Sequence, residues 1–141
     1  MDNNLFSPEP AYLPVGRRQK TRQLKDGTAC IYRKGKSPRI VLNPTDTQKV
    51  FDAGHEHFKI ARSPFTSQLY IIFCKPDNHS AHVWLPGGEN CKSIAVGGQD
   101  TIKAVWEALG LPDETDKSLL RLTQTEPLDK STICFRISVA E

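Results

Sequence analysis

The chain has 141 residues, 38% of them hydrophobic and 25% charged, with a formal net charge of +3. That is one ordinary domain, or two small ones sharing a core, with enough apolar residues to fold without disulfide or metal staples. No apolar run approaches the length of a bilayer span, and MDNNLFSPEPAYLP has neither the basic start nor the apolar stretch of a secretory signal. A cytoplasmic protein with no membrane contact is therefore expected.

The N-terminal residues 1–26 carry Pro8, Pro10 and Pro14 and little periodicity, and read as a flexible, extended arm. The charge is concentrated at its end and just beyond. Residues 17–39 hold Arg17, Arg18, Lys20, Arg22, Lys25, Arg33, Lys34, Lys36 and Arg39 against the single acid Asp26, a net +8, whereas everything after residue 39 is net −3. A surface that meets an anionic partner follows from that polarity.

Strand-like segments begin with ACIYRK and PRIVLN, a hairpin turning at Gly35. Thr45 or Asp46 is placed to cap a short helix running through Ala53, with Gln48 three residues beyond Thr45 as in a capping box and Gly54 closing the end. HFKIARS and QLYIIFCK follow as two strands around SPFTS. The order then recurs. AHVWLP and KSIAVG stand for the first two strands, and Gly97 and Gly98 fall where Asn43 and Pro44 stood. A helix from Asp100 to Leu109 puts Ile102, Val105, Trp106 and Leu109 on one face and ends at Gly110. SLLRLTQ and STICFRISV close the chain around a turn at Glu126 to Lys130.

With an offset of 54 residues, Asp46, Thr47 and Lys49 fall on Asp100, Thr101 and Lys103. The expectation is an α+β fold of two β-β-α-β-β repeats, residues 27–78 and 79–141, forming a small, mostly antiparallel, barrel-like body. A four-stranded unit with one short helix cannot cover its own apolar face, and two such units can cover each other.

The stretch PRIVLNPTDTQKVFDAGHEHFKIARSPFTSQLYIIFCK resembles the SpoVT/AbrB-like swapped-hairpin family in its basic hairpin, short Gly-terminated helix and two further strands. The resemblance covers about residues 29–75 and extends to 83–139. It implies two interlocked copies in one body and DNA binding through the first hairpin, here Arg33, Lys34, Lys36 and Arg39. Under the 54-residue offset those four positions become Gly87, Gly88, Asn90 and Ser93, so the second hairpin carries no matching charge. A symmetric grip on a palindromic site is not expected.

Other chemistry finds little purchase. LPGGENCKS lacks two glycines of a phosphate-binding loop, having Pro86 and Cys91 in their places, and reads as a turn. His55, His57, His79 and His82 with Cys74 and Cys91 are the one set with metal-binding residue types, but all four histidines lie near predicted turns and lack family spacing. Cys30, Cys74, Cys91 and Cys134 contain no Cys-x-x-Cys pair and read as reduced thiols. No nucleophile, base and orienting acid assemble from local signatures, so no catalytic site, metal or cofactor is expected.

The sequence thus points to a non-enzymatic nucleic-acid-binding protein, a transcriptional or accessory regulator. Arg17, Arg18, Lys20, Arg22 and Lys25 would form an electrostatic arm, and the hairpin would supply folded contacts. Aromatic residues are scarce there, Tyr32 alone, which favours duplex DNA over single strands. The alternative is a protein-binding inhibitor or adaptor, of the kind mobile elements or phages encode, that sets the same basic face against an acidic protein. Internal pseudo-symmetry allows a monomer, and exposed strand edges allow a homodimer.

Overall fold

The computed structural model describes residues 24–34, 37–85 and 93–140. In chain order these form β1 (Thr28–Tyr32), β2 (Arg39–Leu42), α1 (Pro44–Asp52), β3 (His57–Arg62), β4 (Leu69–Cys74), β5 (Ala81–His82), β6 (Ala95–Gly97), α2 (Gln99–Ala108), β7 (Lys117–Thr125) and β8 (Ile133–Val139). The expected element order is present throughout the described residues. No helix among them is long and apolar enough to cross a membrane.

All eight strands join one antiparallel sheet in the order β5-β3-β4-β8-β7-β1-β2-β6. Its two ends meet. Trp84, just past β5, bridges Ala95 of β6 through reciprocal backbone hydrogen bonds of 3.0 and 2.7 Å. The sheet is therefore a nearly closed barrel, a form that leaves few unpaired edge groups. The mixed α+β, mostly antiparallel, barrel-like class expected from the sequence holds at this level.

Strand alternation fills the interior. Ile31, Ile40, Leu42, Ile71, Phe73, Val96, Leu120 and Phe135 are fully buried on one face of their strands. Phe73 and Phe135 meet edge to face, ring centroids 5.9 Å apart, on the paired central strands β4 and β8. Val50 of α1 and Ile102, Val105 and Trp106 of α2 join the same core. Three of the four residues placed on the α2 apolar face from sequence are fully covered, and Leu109 packs against them partly buried.

The cap of α1 differs from expectation. Asn43 is the N-cap, and Thr45 and Asp46 lie within the first turn. Pro44 explains the shift, since its fixed φ and missing N–H suit the first helical position and so put the cap one residue earlier. The Asn43 side-chain oxygen accepts from the Asp46 backbone N–H at 2.8 Å. Its amide donates to the Thr28 carbonyl at 2.8 Å and to the Asp46 carboxylate at 2.6 Å, and the residue is fully buried. One side chain thereby ties the start of α1 to the start of β1.

Both helices end in the same way. Gly54 and Gly110 take φ of 76° and 69°, and the residue after each donates back to the helix, His55 to Val50 and Leu111 to Trp106, at 3.2 Å. Gly97 answers a different need. A side chain there would lie 2.6 Å from the Pro38 carbonyl oxygen, so only glycine lets β6 approach β2 this closely.

Because Asn43 serves a buried cap and an inter-element bond together, Asn43→Ala should cost about 1–3 kcal/mol in urea unfolding. Thr45→Ala removes only an exposed hydrogen bond to Asp26 and should cost under about 1 kcal/mol. Equal costs would restore Thr45 as the cap.

Candidate nucleic-acid interface

Arg17, Arg18, Lys20, Arg22 and Lys36 lie outside the described residues, as do most of the LPGGENCKS turn and Cys91. Of the cations singled out from sequence, Lys25, Arg33, Lys34 and Arg39 have described positions. They do not form one open cluster.

Arg33, at the end of β1, is held by the other half of the chain. Its backbone N–H donates to the Asp116 carbonyl at 2.7 Å. Its guanidinium lies 5.0 Å from the centroid of the Trp106 ring, donates to the Asp113 carbonyl, and approaches the Asp113 carboxylate at 3.6 Å. A cation on an indole face with a carboxylate beside it is neutralised and partly desolvated. Lys34 pairs with the Asp116 carboxylate at 3.3 Å, an exposed contact of little energetic weight. The loop Asp113 to Asp116 thus answers the charge at this end of the hairpin.

Arg39 is placed differently. It stands opposite Tyr32 in the β1–β2 register, with its guanidinium 4.6 Å from the ring centroid and a hydrogen bond to the Ser37 carbonyl at 3.1 Å. No carboxylate among the described residues pairs with it. Burial, with Cys30 beside it, holds the Tyr32 phenol above its ordinary value, so the ring remains a neutral platform.

Three further cations stand on β7 and β8, the strands that follow β1 round the barrel. Lys117 of β7 is opposite Tyr32, Arg121 is opposite Thr28, and Arg136 of β8 is opposite Thr123 on one side and Tyr70 on the other. Since Leu120, Leu122, Phe135 and Ile137 point inward, alternation turns Lys117, Arg121 and Arg136 outward. None of the three forms an ion pair with a described residue. None of the eight strands contains Asp or Glu, so the acids among the described residues sit on helices and loops. At ordinary strand spacings Arg121 and Arg136 are roughly 8 Å apart and Lys117 and Arg121 about 13 Å apart.

Lys117, Arg121 and Arg136 are isolated in the sequence, so local charge density does not single them out. The available signal was the alternation in LLRLTQ and CFRIS, where each arginine falls opposite in phase to its apolar neighbours. Which strands lie side by side depends on β1 pairing β7, a pairing between segments roughly 90 residues apart that no local pattern specifies.

The histidines scatter into separate roles. His55 is buried behind the C-terminus of α1 and precedes β3, so it does not share a strand face with His57. His57 and His82 are cross-strand partners with ring centroids 4.1 Å apart, and His57 Nδ1 lies 3.2 Å from Ser80 Oγ. Among the described residues no three His, Cys, Asp or Glu side chains are grouped to hold a metal ion. Cys30, Cys74 and Cys134 are buried free thiols, and burial pushes the Cys74 thiol up, away from the nucleophilic thiolate. The Lys59 ammonium meets Asp77 at 2.7 Å; that hydrogen bond raises the lysine's pKa and lowers the carboxyl's.

No protein-family model matches the chain, and neither does any curated protein or solved structure. Function must therefore be read from the residues themselves.

His55 supplies a pH test of the folded body. Burial, and then the Lys75 ammonium, hold its imidazole below the ordinary value. The unfolded chain then binds a proton the folded chain refuses just below pH about 6.5, so stability falls as pH drops through that region. Asp77 and Asp129 are shifted down, so their stabilising contribution disappears only at more acid pH. Urea unfolding at pH 7, 6 and 5 should show the decline in the parent chain and a flatter profile in His55→Gln. An unchanged profile in the variant would remove His55 as its source.

Proposed function

We propose that this chain is a non-enzymatic nucleic-acid-binding protein, a regulator of transcription or an accessory to it, that grips duplex DNA on the outer face of β2, β1, β7 and β8. The observation that carries the reading is the set Arg39, Lys117, Arg121 and Arg136, four outward cations on adjacent strands that hold no acid. Such a surface releases counterions from phosphates and needs no base-specific chemistry to do so. Arg39 occupies a face of Tyr32, which disfavours base stacking there and supports duplex over single-strand contact. The N-terminal cations Arg17, Arg18, Lys20 and Arg22, with Lys25, would add electrostatic reach, and Lys36 would extend the hairpin.

The same proposal includes two interlocked β-β-α-β-β copies, in the manner of swapped-hairpin proteins. It is supported by the pairing map, which is unchanged when β1 is exchanged with β5, β2 with β6, β3 with β7 and β4 with β8. Register agrees as well. The Cys30↔Val41 pair recurs 54 residues on as Trp84↔Ala95, and Phe58↔Phe73 recurs 64 residues on as Leu122↔Ile137. The helix caps Asn43 and Gly98 are 55 apart. The match of Asp46, Thr47 and Lys49 at an offset of 54 is therefore one step out of helical phase, and the support comes from the strands.

A protein partner is the second reading, favoured by Leu119, which is 47% exposed between Lys117 and Arg121. An apolar side chain among cations suits an acidic protein surface better than a row of phosphates.

Fluorescence anisotropy of the full chain on a mixed-sequence duplex across a salt series tests the proposal. Arg121→Gln with Arg136→Gln should weaken binding at least tenfold and lower the log-log salt slope by roughly 0.9 for each phosphate that is no longer neutralised. Binding that is tight but indifferent to these substitutions would reject the face. No binding at low salt would reject nucleic acid and leave the protein partner.

A further inference from the structure

The two helices meet the barrel through seams that are filled differently. Lys49 of α1 donates to the Gln124 side chain of β7 at 3.1 Å and lies 3.5 Å from the Asp46 carboxylate. Polar groups bridge that seam. Ala104 stands six residues past the N-cap of α2, as Lys49 does in α1, and Ile60 of β3 lies across from it. No side chain bridges this second seam among the described residues, and a groove of about 380 Å³ opens between α2 and β3.

The lining of the groove is selective. Phe58, Ile60, Leu69 and Val105 form an apolar floor, and Ala104 and Ala108 leave room above it. Arg62 continues the alternation of Phe58 and Ile60 and so lies on their face, exposed, at the end of β3. It forms no ion pair with any described residue. The other strand cation, Lys59, is held by Asp77. No Asp or Glu lines the groove, so its only uncommitted formal charge is positive. The volume falls in the range of small-molecule sites, which pair an apolar wall with a few placed polar groups.

We propose that this groove binds a small amphipathic anion, an apolar chain or ring lying on Ile60, Leu69 and Val105 with its carboxylate at the Arg62 guanidinium. A guanidinium donates two parallel hydrogen bonds to a carboxylate, and a neutral head group cannot answer both. The site lies on β3 and α2, away from the β2, β1, β7 and β8 face, and stands whether or not that face binds DNA.

The full chain is titrated with decanoate and, in parallel, with decanol by isothermal titration calorimetry. Decanoate should bind saturably with Kd below about 1 mM. Arg62→Gln should weaken decanoate about tenfold while leaving decanol unchanged. Ala104 is exposed, so Ala104→Trp should fill the groove and abolish both without lowering the thermal midpoint. Duplex binding should survive in both variants, which separates this test from that of the DNA face. Absence of saturable binding, or decanoate binding that survives Ala104→Trp, overturns the proposal. So would a change of oligomeric state in Ala104→Trp without decanoate binding, which would make a second copy of the chain the occupant.

Discussion

Neither half of this chain can satisfy its own strand edges. The free side of β1 is taken by β7 and the free side of β3 by β5, so each half supplies hydrogen bonds that the other needs. An unpaired strand edge is a row of unmet donors and acceptors and a template for association. Meeting that demand within one chain forces long crossings, β1 to β7 and β4 to β8, and these crossings position the rest. They put Phe73 against Phe135 at the centre and leave the helices to cover what the strands do not. Asn43 belongs to the same constraint, because it bonds the first strand to the first helix where the chain leaves β2.

Much of this was legible locally. Alternation located most of the strands, the spacing of Ile102, Val105 and Trp106 located the buried face of α2, and Gly54 and Gly110 marked both helix ends. Local chemistry misled at the start of α1, where Thr45 with Gln48 imitates a capping box and Pro44 overrides it by fixing the helix start after Asn43. The short second strand pair was harder still. β5 is two residues long, and its role in closing the barrel is carried by a single bridge at Trp84.

The candidate site was less legible because charge density and charge geometry are different quantities. The dense run between residues 17 and 39 draws attention, yet Arg33 is committed to Trp106 and Asp113, and Lys34 faces Asp116. Lys117, Arg121 and Arg136 are isolated in sequence, and register alone sets Lys117 level with Arg39 two strands away and Arg121 diagonal to Arg136. Their positive field also depends on what the strands leave out. With no Asp or Glu on any described strand, Arg39, Lys117, Arg121 and Arg136 form no ion pair with a described residue.

The loop between α2 and β7 gives the asymmetry a physical reason. α1 reaches β3 through Ala53 to Glu56, whereas α2 reaches β7 through the longer Leu109 to Asp116, which carries Asp113, Glu114 and Asp116. That extra length lets the second half reach over the first hairpin, where Trp106 and Asp113 receive Arg33 and Trp106 itself is anchored by its Nε1 hydrogen bond to the Pro112 carbonyl at 3.2 Å. A basic hairpin held in this way contributes to joining the two halves. The seam of α2 with β3 stays apolar and open, while that of α1 with β7 is bridged by Lys49. Under the two-copy reading, a duplicated unit would then have diverged into a charged outer face and an apolar groove, with the shared barrel keeping them at fixed distance.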